Sequence, residues 1–216
     1  MMKDKMRLKK AMTLIDINPD IFKAFKKEDM EDNDIQTYAI TKDPKLISLI
    51  KCPNRNLIKI AIEECPQYII SHIDHSLLDN ELIYMAIEKD ADVIPLIKDK
   101  INANDAMKEN VIRMYPKAIQ CLDNLEESSF ILAVKLEPEC LVYLEPDQIT
   151  ANILKSMFIN VNVFSYLDYL KRIVHLNKFS IDELCYILED VPKDKADLVL
   201  DFIVKCTKNN ENTKMV

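Results

Sequence analysis

The 216-residue sequence contains no glycine and no tryptophan. Without glycine there is no glycine-rich phosphate loop, no dinucleotide fingerprint and no serine nucleophile elbow. Each needs a backbone position that only a residue lacking Cβ occupies cheaply. Sheet proteins also use glycine at bulges and tight hairpins, so its absence favours an all-α fold. A long apolar run is missing too. The longest stretch without a charged residue, Ser156 to Leu167, has 12 residues, too few to cross about 30 Å of hydrocarbon. The basic N-terminus has an apolar run from Ala11 that stops at Asp16, so it lacks a signal-peptide core. The six cysteines, Cys52, Cys65, Cys121, Cys140, Cys185 and Cys206, show no C-x-x-C spacing and mostly sit beside aliphatic residues. They read as small buried thiols of a cytoplasmic protein in a reducing compartment.

What is present is a globular composition: 49% apolar, 30% charged, net charge -7. Lysine outnumbers arginine 25 to 4. With abundant isoleucine and asparagine, this suggests an AT-rich coding sequence, as in many phages, large DNA viruses and low-GC bacteria.

The strongest feature is self-similarity. The segments LIKIAIEECPQYII (from Leu57), LIYMAIEKDADVIPL (from Leu82) and FILAVKLEPECLVYL (from Phe130) share one layout. A small residue precedes a proline or its substitute by five positions, in the pairs Ala39/Pro44, Ala61/Pro66, Ala86/Ala91, Val111/Pro116, Ala133/Pro138 and Ser156/Val161. Pro19, with Leu14 at the small position, supplies an earlier anchor. Seven residues before the small position stand Asp32, Asn54, Asp79 and Asn104, good N-caps for a first helix. Proline closes that helix and favours the first turn of a second one. Three residues past each anchor comes a large apolar group: Phe22, Ile47, Ile69, Ile94, Ile119, Leu141 and Phe164. Six past it are Phe25, Ile50, His72, Ile97, Leu122, Leu144 and Leu167. Each unit thus reads as a short helical hairpin whose apolar face is buried only by stacking on its neighbours. The expectation is an all-α helical-hairpin repeat solenoid of about six to seven units. The small residues are expected to let the two helices of a hairpin approach closely.

The A-I/A-V pairs Ala39-Ile40, Ala61-Ile62, Ala86-Ile87 and Ala133-Val134, with Asn33-Asp34 and Asp79-Asn80 before them, resemble a short helical-repeat domain of unknown function. That domain occurs in giant viruses, protists and bacteria, in units of about 25 residues. The match covers Ile35 to Leu144. The chain departs from it in using proline where those repeats often carry glycine or asparagine. The resemblance implies a helical repeat and no known activity.

The ends differ from the middle. Ser180 and Glu183 form a capping-box pattern opening a helix from about Ile181 to Leu188. Pro192 breaks the chain, Lys195 to Cys206 reads as a last amphipathic helix, and residues 208–216 read as a disordered tail. Residues 1–207 are expected to form one repeat domain with a basic N-terminal and a helical C-terminal cap.

Chemistry-bearing clusters are sparse. His72 and His75, with Asp74 and Cys65 nearby, offer metal-ligand atoms, but His72 reads better as a hydrogen-bonded core position and His75 as a loop residue. No catalytic, cofactor-binding or metal-ligating residue is assigned. Charge is uneven. Residues 1–27 carry a net +5, whereas Cys121 to Ala151 carries -6 through Asp123, Glu126, Glu127, Glu137, Glu139, Glu145 and Asp147 against Lys135. These seven acids are the candidate partner-binding surface, suited to steering a basic protein. The expected function is a non-enzymatic protein-binding module, as in a viral or phage protein that inhibits a host factor in the host cytoplasm. The alternative is an acidic nucleic-acid mimic acting on a nuclease or defence complex. Direct nucleic-acid binding conflicts with four arginines and the negative net charge, and no cofactor or membrane partner is expected.

Overall fold

A computed structural model describes residues 2–159 and 179–212. Every regular element among them is helical, and none is a strand. The fold class is all-α. The chain divides into two compact units, Met1–Lys100 and Ile101–Val216.

The elements follow one rhythm. After α1 (Met2–Ile17) and a single turn, α2 (Lys27–Met30), come α3 (Asn33–Lys42), α4 (Arg55–Glu64), α5 (Pro66–His72), α6 (Asn80–Lys89) and α7 (Lys98–Asn102). The second unit holds α8 (Asp105–Met114), α9 (Glu127–Leu136) and α10 (Ala151–Ile159), then the Ile181–Leu188 and Lys193–Asn212 helices. The first helices α3, α4, α6 and α8 are capped as the sequence predicts, whereas Glu126 before α9 makes no side-chain cap. Asn54 Oδ1 accepts from the Leu57 N–H at 3.0 Å, Asp79 Oδ1 from Leu82 at 2.9 Å and Asn104 Oδ1 from Met107 at 3.1 Å. Asp32 caps α3 in the same way. Seven residues on, Ala39, Ala61, Ala86, Val111 and Ala133 are all fully buried. Each carbonyl there accepts the N–H of the residue that closes the helix, from Asp43 on Ala39 to Glu137 on Ala133. The small side chain and the helix stop are therefore one feature.

The second elements depart from the expectation. Among the described residues only α5 is an α-helix; Pro19–Ala24, Pro44–Leu49, Ala91–Leu96, Pro116–Gln120 and Pro138–Tyr143 are 3-10 segments. A 3-10 turn rises about 2.0 Å per residue against about 1.5 Å in an α-helix, so five or six residues reach further across the repeat. The winding also selects the buried pair. In most of the 3-10 segments the second and third residues past the anchor are buried (Leu46 and Ile47, Val93 and Ile94, Cys140 and Leu141), whereas α5 buries the third and fourth, Ile69 and Ile70. Three of these segments carry side-chain caps that the repeat reading overlooked. Asn18, Asp43 and Asp90 accept from the N–H two residues on at 2.9–3.1 Å.

Within the first unit α1 packs on α3, α3 on α4 and α4 on α6; within the second, α8 packs on α9 and α9 on α10. The Pro19–Ala24 and Pro44–Leu49 segments touch each other, and α5 touches both Pro44–Leu49 and Ala91–Leu96. Each unit therefore has a layer of first helices beside a layer of turns. Polar pairs one repeat apart link neighbours: Arg7 with Asp32, Arg55 with Asp79 at 2.7 Å and Glu81, Lys117 with Glu139 at 3.2 Å.

Three positions correct the sequence phasing. Leu14 is 45% exposed while Ala11 and Ile15 are buried, because α1 turns that pair toward α3. In α10 the cap is Thr150, whose Oγ1 accepts from Ile153 N–H at 3.3 Å. Seven residues later stands buried Met157, not Ser156, so the repeat runs one residue later than Ser156/Val161 implies. The position six past the anchor is buried at Ile97, Leu122 and Leu144 but only half-buried at Phe25 and Ile50 and exposed at His72. Val161, Phe164, Leu167 and His175 lie outside the described residues.

The C-terminal expectations hold in part. Ser180 Oγ accepts from Glu183 N–H at 3.2 Å and Glu183 Oε2 accepts from Ser180 N–H at 2.7 Å, a full capping box on Ile181–Leu188. The last helix starts at Lys193 and continues to Asn212, past the expected end at Cys206 and into the segment read as a disordered tail. No proline stops it, and lysine and glutamate are good helix formers. Its Phe202 ring lies 5.7 Å from Phe158 of α10. Lys155, its side chain 10% exposed, reaches Glu189 at 3.0 Å and Asp190 at 2.8 Å. Its ammonium lies 3.8 Å from the centre of the Tyr186 ring, a cation–π contact that ties α10 to Ile181–Leu188.

Asp79 has two duties, capping α6 and pairing with Arg55. The Arg55 hydrogen bond and then the Leu82 N–H hold its carboxyl below the ordinary value of 3.8. A group with a folded pKa below its unfolded one adds stability that is present above the unfolded value and is lost as pH falls through the folded value. Denaturant melts should therefore weaken below about pH 4. Asp79→Asn keeps a capping oxygen but no charge, and should flatten part of that acid limb; Asp16, Asp74 and Glu183, also lowered, supply the rest. An identical pH slope in the variant would contradict this role.

Candidate functional site

The seven acids predicted as a partner surface lie at loop edges and helix ends. Asp123 is in the loop before α9, Glu126 is its N-cap and Glu127 its first residue. Glu137 closes α9, Glu139 sits in Pro138–Tyr143, and Glu145 and Asp147 precede α10. Glu126, Glu127, Glu145 and Asp147 are exposed.

Only some of that charge is offered to solvent. Lys117, outside the acidic stretch in sequence, meets Glu137 at 2.7 Å and Glu139 at 3.2 Å. The hydrogen bond to Glu137, then that to Glu139, raises its ammonium well above the ordinary lysine value, keeping it charged. Glu127 accepts from the Thr150 hydroxyl and from Asn152 Nδ2 at 3.2 Å, holding α9 to the head of α10. Asp123 and Asn102 bond reciprocally: Asn102 Nδ2 donates to Asp123 Oδ2 at 3.0 Å, and the Asp123 N–H donates to Asn102 Oδ1 at 3.1 Å. The structure therefore brings Glu137 and Glu139 together around a cation that sequence reasoning missed. A signal was present: Lys117 precedes Glu139 by 22 residues, one repeat. Glu126, Glu145 and Asp147 remain the carboxylates best placed to meet a partner.

The histidines are tied to the backbone. His72 ends α5, with Nδ1 2.8 Å from the Tyr68 carbonyl and its ring stacked on Tyr68 at 4.0 Å. His75 Nε2 lies 2.8 Å from the Ile70 carbonyl. His72 is thus an exposed, stacked side chain rather than a core one. Cys65 lies 3.8 Å from the Ala61 carbonyl, and desolvation raises its pKa. Burial pushes Cys140 up to about 12, so both thiols stay protonated near neutral pH. No group of three possible metal ligands occurs among the described residues, and no helix among them is long and apolar enough to cross a membrane.

Comparison with protein-family models, with curated proteins and with solved structures finds no match to this chain.

Proposed function

We propose that this chain is a non-enzymatic helical-repeat module that binds another protein, in keeping with its resemblance to the short repeat domain of giant viruses, protists and bacteria. The observation that carries this reading is the contrast between a fixed interior and a changing exterior. Counted from the N-cap, positions seven and eight are always buried and apolar: Ala39-Ile40, Ala61-Ile62, Ala86-Ile87, Val111-Ile112, Ala133-Val134 and Met157-Phe158. Positions five and six lie outside that core stripe, half-buried in most repeats and exposed at Glu109-Asn110, and change from repeat to repeat: Thr37-Tyr38, Lys59-Ile60, Tyr84-Met85, Glu109-Asn110 and Ile131-Leu132, with the buried Lys155 at position five of α10. A skeleton that holds its register while its outer residues vary suits recognition of a protein surface. A viral or phage inhibitor of a host factor, acting in the host cytoplasm, is the use that fits the lysine- and asparagine-rich composition. The acidic-mimic reading is the weaker one, because Lys117 neutralises two of the seven acids.

The test is affinity capture with the immobilised chain at low and high salt, followed by the same assay on Glu126→Lys/Glu145→Lys/Asp147→Lys. These side chains are exposed and serve no cap through their side chains, so the melting transition should be unchanged. Binding to a basic partner should weaken mainly through the association rate, with a loss that shrinks as salt rises. Unchanged binding at low salt would move the contact surface to positions five and six of the first helices. Capture of nucleic acid in place of protein would overturn the reading.

A further inference from the structure

Lys108 breaks the repeat. Four residues after the N-cap, α4, α6 and α10 bury Ile58, Ile83 and Leu154, α9 half-buries Phe130 and α3 buries the neutral Gln36, whose amide donates to the Met30 carbonyl at 2.7 Å, whereas α8 buries a charged lysine. A hydrocarbon there is stabilised by leaving water, while an ammonium is penalised by it. The Lys108 side chain is only 9% exposed, and its ion-pair partner Asp105, at 3.0 Å, is 95% exposed. A second acceptor, the Asn124 carbonyl, stands at 3.5 Å, at the limit of a hydrogen bond. Among the described residues Asn124 is the one with positive φ, 52°, a conformation asparagine tolerates better than most, and it supplies that carbonyl in a chain without glycine. An ammonium has three donors. Here they are served by one water-facing carboxylate and one long contact.

The same lysine lines a groove of about 550 Å³ between α8 and α9, within the size range of small-ligand sites. Its walls pair polar with apolar groups. The Ser128 and Ser129 hydroxyls stand at the head of α9, and half-buried Ile131 and Leu132 form an apolar side. Arg113 also lines the groove, held by Glu109 through contacts of 2.6 and 3.2 Å. Of the groove's carboxylates, Glu109 is engaged with Arg113 and Glu126 is an exposed residue at the start of α9. Asp105 is the one paired with the buried ammonium, and its exposure lets it be exchanged.

We propose that this groove binds a small organic anion, a carboxylate or phosphate group joined to an apolar body. Lys108 is the anchoring cation, Asp105 the internal carboxylate that the ligand displaces, and Ile131 with Leu132 the wall that takes the apolar body. This site shares Glu126 with the proposed partner surface but does not depend on the protein-binding reading.

Hexanoate, phenyl phosphate and inorganic phosphate, titrated into the full chain at low salt, test the proposal by the amide resonances of Ser128 and Ser129 and by calorimetry. Saturable binding of hexanoate or phenyl phosphate is expected, and which of the two binds more tightly identifies the head group. Lys108→Ile restores the residue type of α4 and α6, so it should melt no lower than the parent yet lose at least about tenfold in affinity, as loss of a charged hydrogen bond implies. Asp105→Asn removes the competing carboxylate and should tighten binding. If Lys108→Ile fails to fold, Lys108→Met replaces it, and Asp105→Asn still reports on displacement. No saturable shift with any of the three probes overturns the proposal. So does undiminished affinity in the folded Lys108 variant, or unchanged affinity in Asp105→Asn. Equal affinity for inorganic and phenyl phosphate overturns the apolar wall.

Discussion

Truncating Phe22 to alanine should cost about 3–5 kcal/mol, the range for emptying a fully buried aromatic site. Phe22 stands three residues past Pro19, the position that every repeat among the described residues fills with a buried apolar side chain, and it is wholly buried. Its ring meets Phe25 edge-on at a centroid distance of 5.9 Å, so the truncation also removes an aromatic pair. The Pro19–Ala24 segment packs against α1, α3 and the Pro44–Leu49 segment, and a cavity there is walled by three elements that cannot all close on it. Phe25→Ala provides the comparison. It lies six past the anchor and is half-buried, so its loss should be clearly smaller. Urea denaturation of both variants separates the two positions. Equal losses would mean that the third position past the anchor is not the core of the repeat.

The legible parts of the fold were those written by single residue types at fixed spacing. Asp32, Asn54, Asp79 and Asn104 announce helix starts because their side chains replace a missing backbone acceptor. Ala39, Ala61, Ala86 and Ala133 mark where a helix is pressed against another. The Ser180/Glu183 box is legible for the same reason, since both partners lie within one turn. The winding of the second elements was not. Proline at the first position suits an α-helix and a 3-10 turn alike, and the choice depends on how far the segment must reach across a repeat that the sequence does not draw. The α10 register was missed because its cap is a threonine and its seventh position a methionine, neither of which matches the pattern of the earlier repeats. Asn18, Asp43 and Asp90 were visible as Asx residues before each anchor, but were overshadowed by the proline that follows two of them. The acidic surface was half legible. Counting charges between Cys121 and Ala151 located the carboxylates, yet the cation that neutralises Glu137 and Glu139 lies outside that window and is brought in only by packing of the Pro116–Gln120 segment on Pro138–Tyr143.

The repeat register is tested most directly in α10, where the two phasings differ by one residue. Counting seven from Thr150 places Met157 in the core, where it is wholly buried, and leaves Ser156 half-buried. Met157→Ala should therefore cost about 2–5 kcal/mol, through lost burial and the cavity left behind. Ser156→Ala should change stability by less than about 0.5 kcal/mol, as surface substitutions usually do. Urea melts of the two single variants, followed by circular dichroism, decide between the phasings. A large loss for Met157→Ala beside a near-neutral Ser156→Ala is the expected result. A neutral Met157→Ala beside a destabilised Ser156→Ala would contradict the register, and with it the claim that one cap-to-core spacing runs through the repeats from α3 to α10.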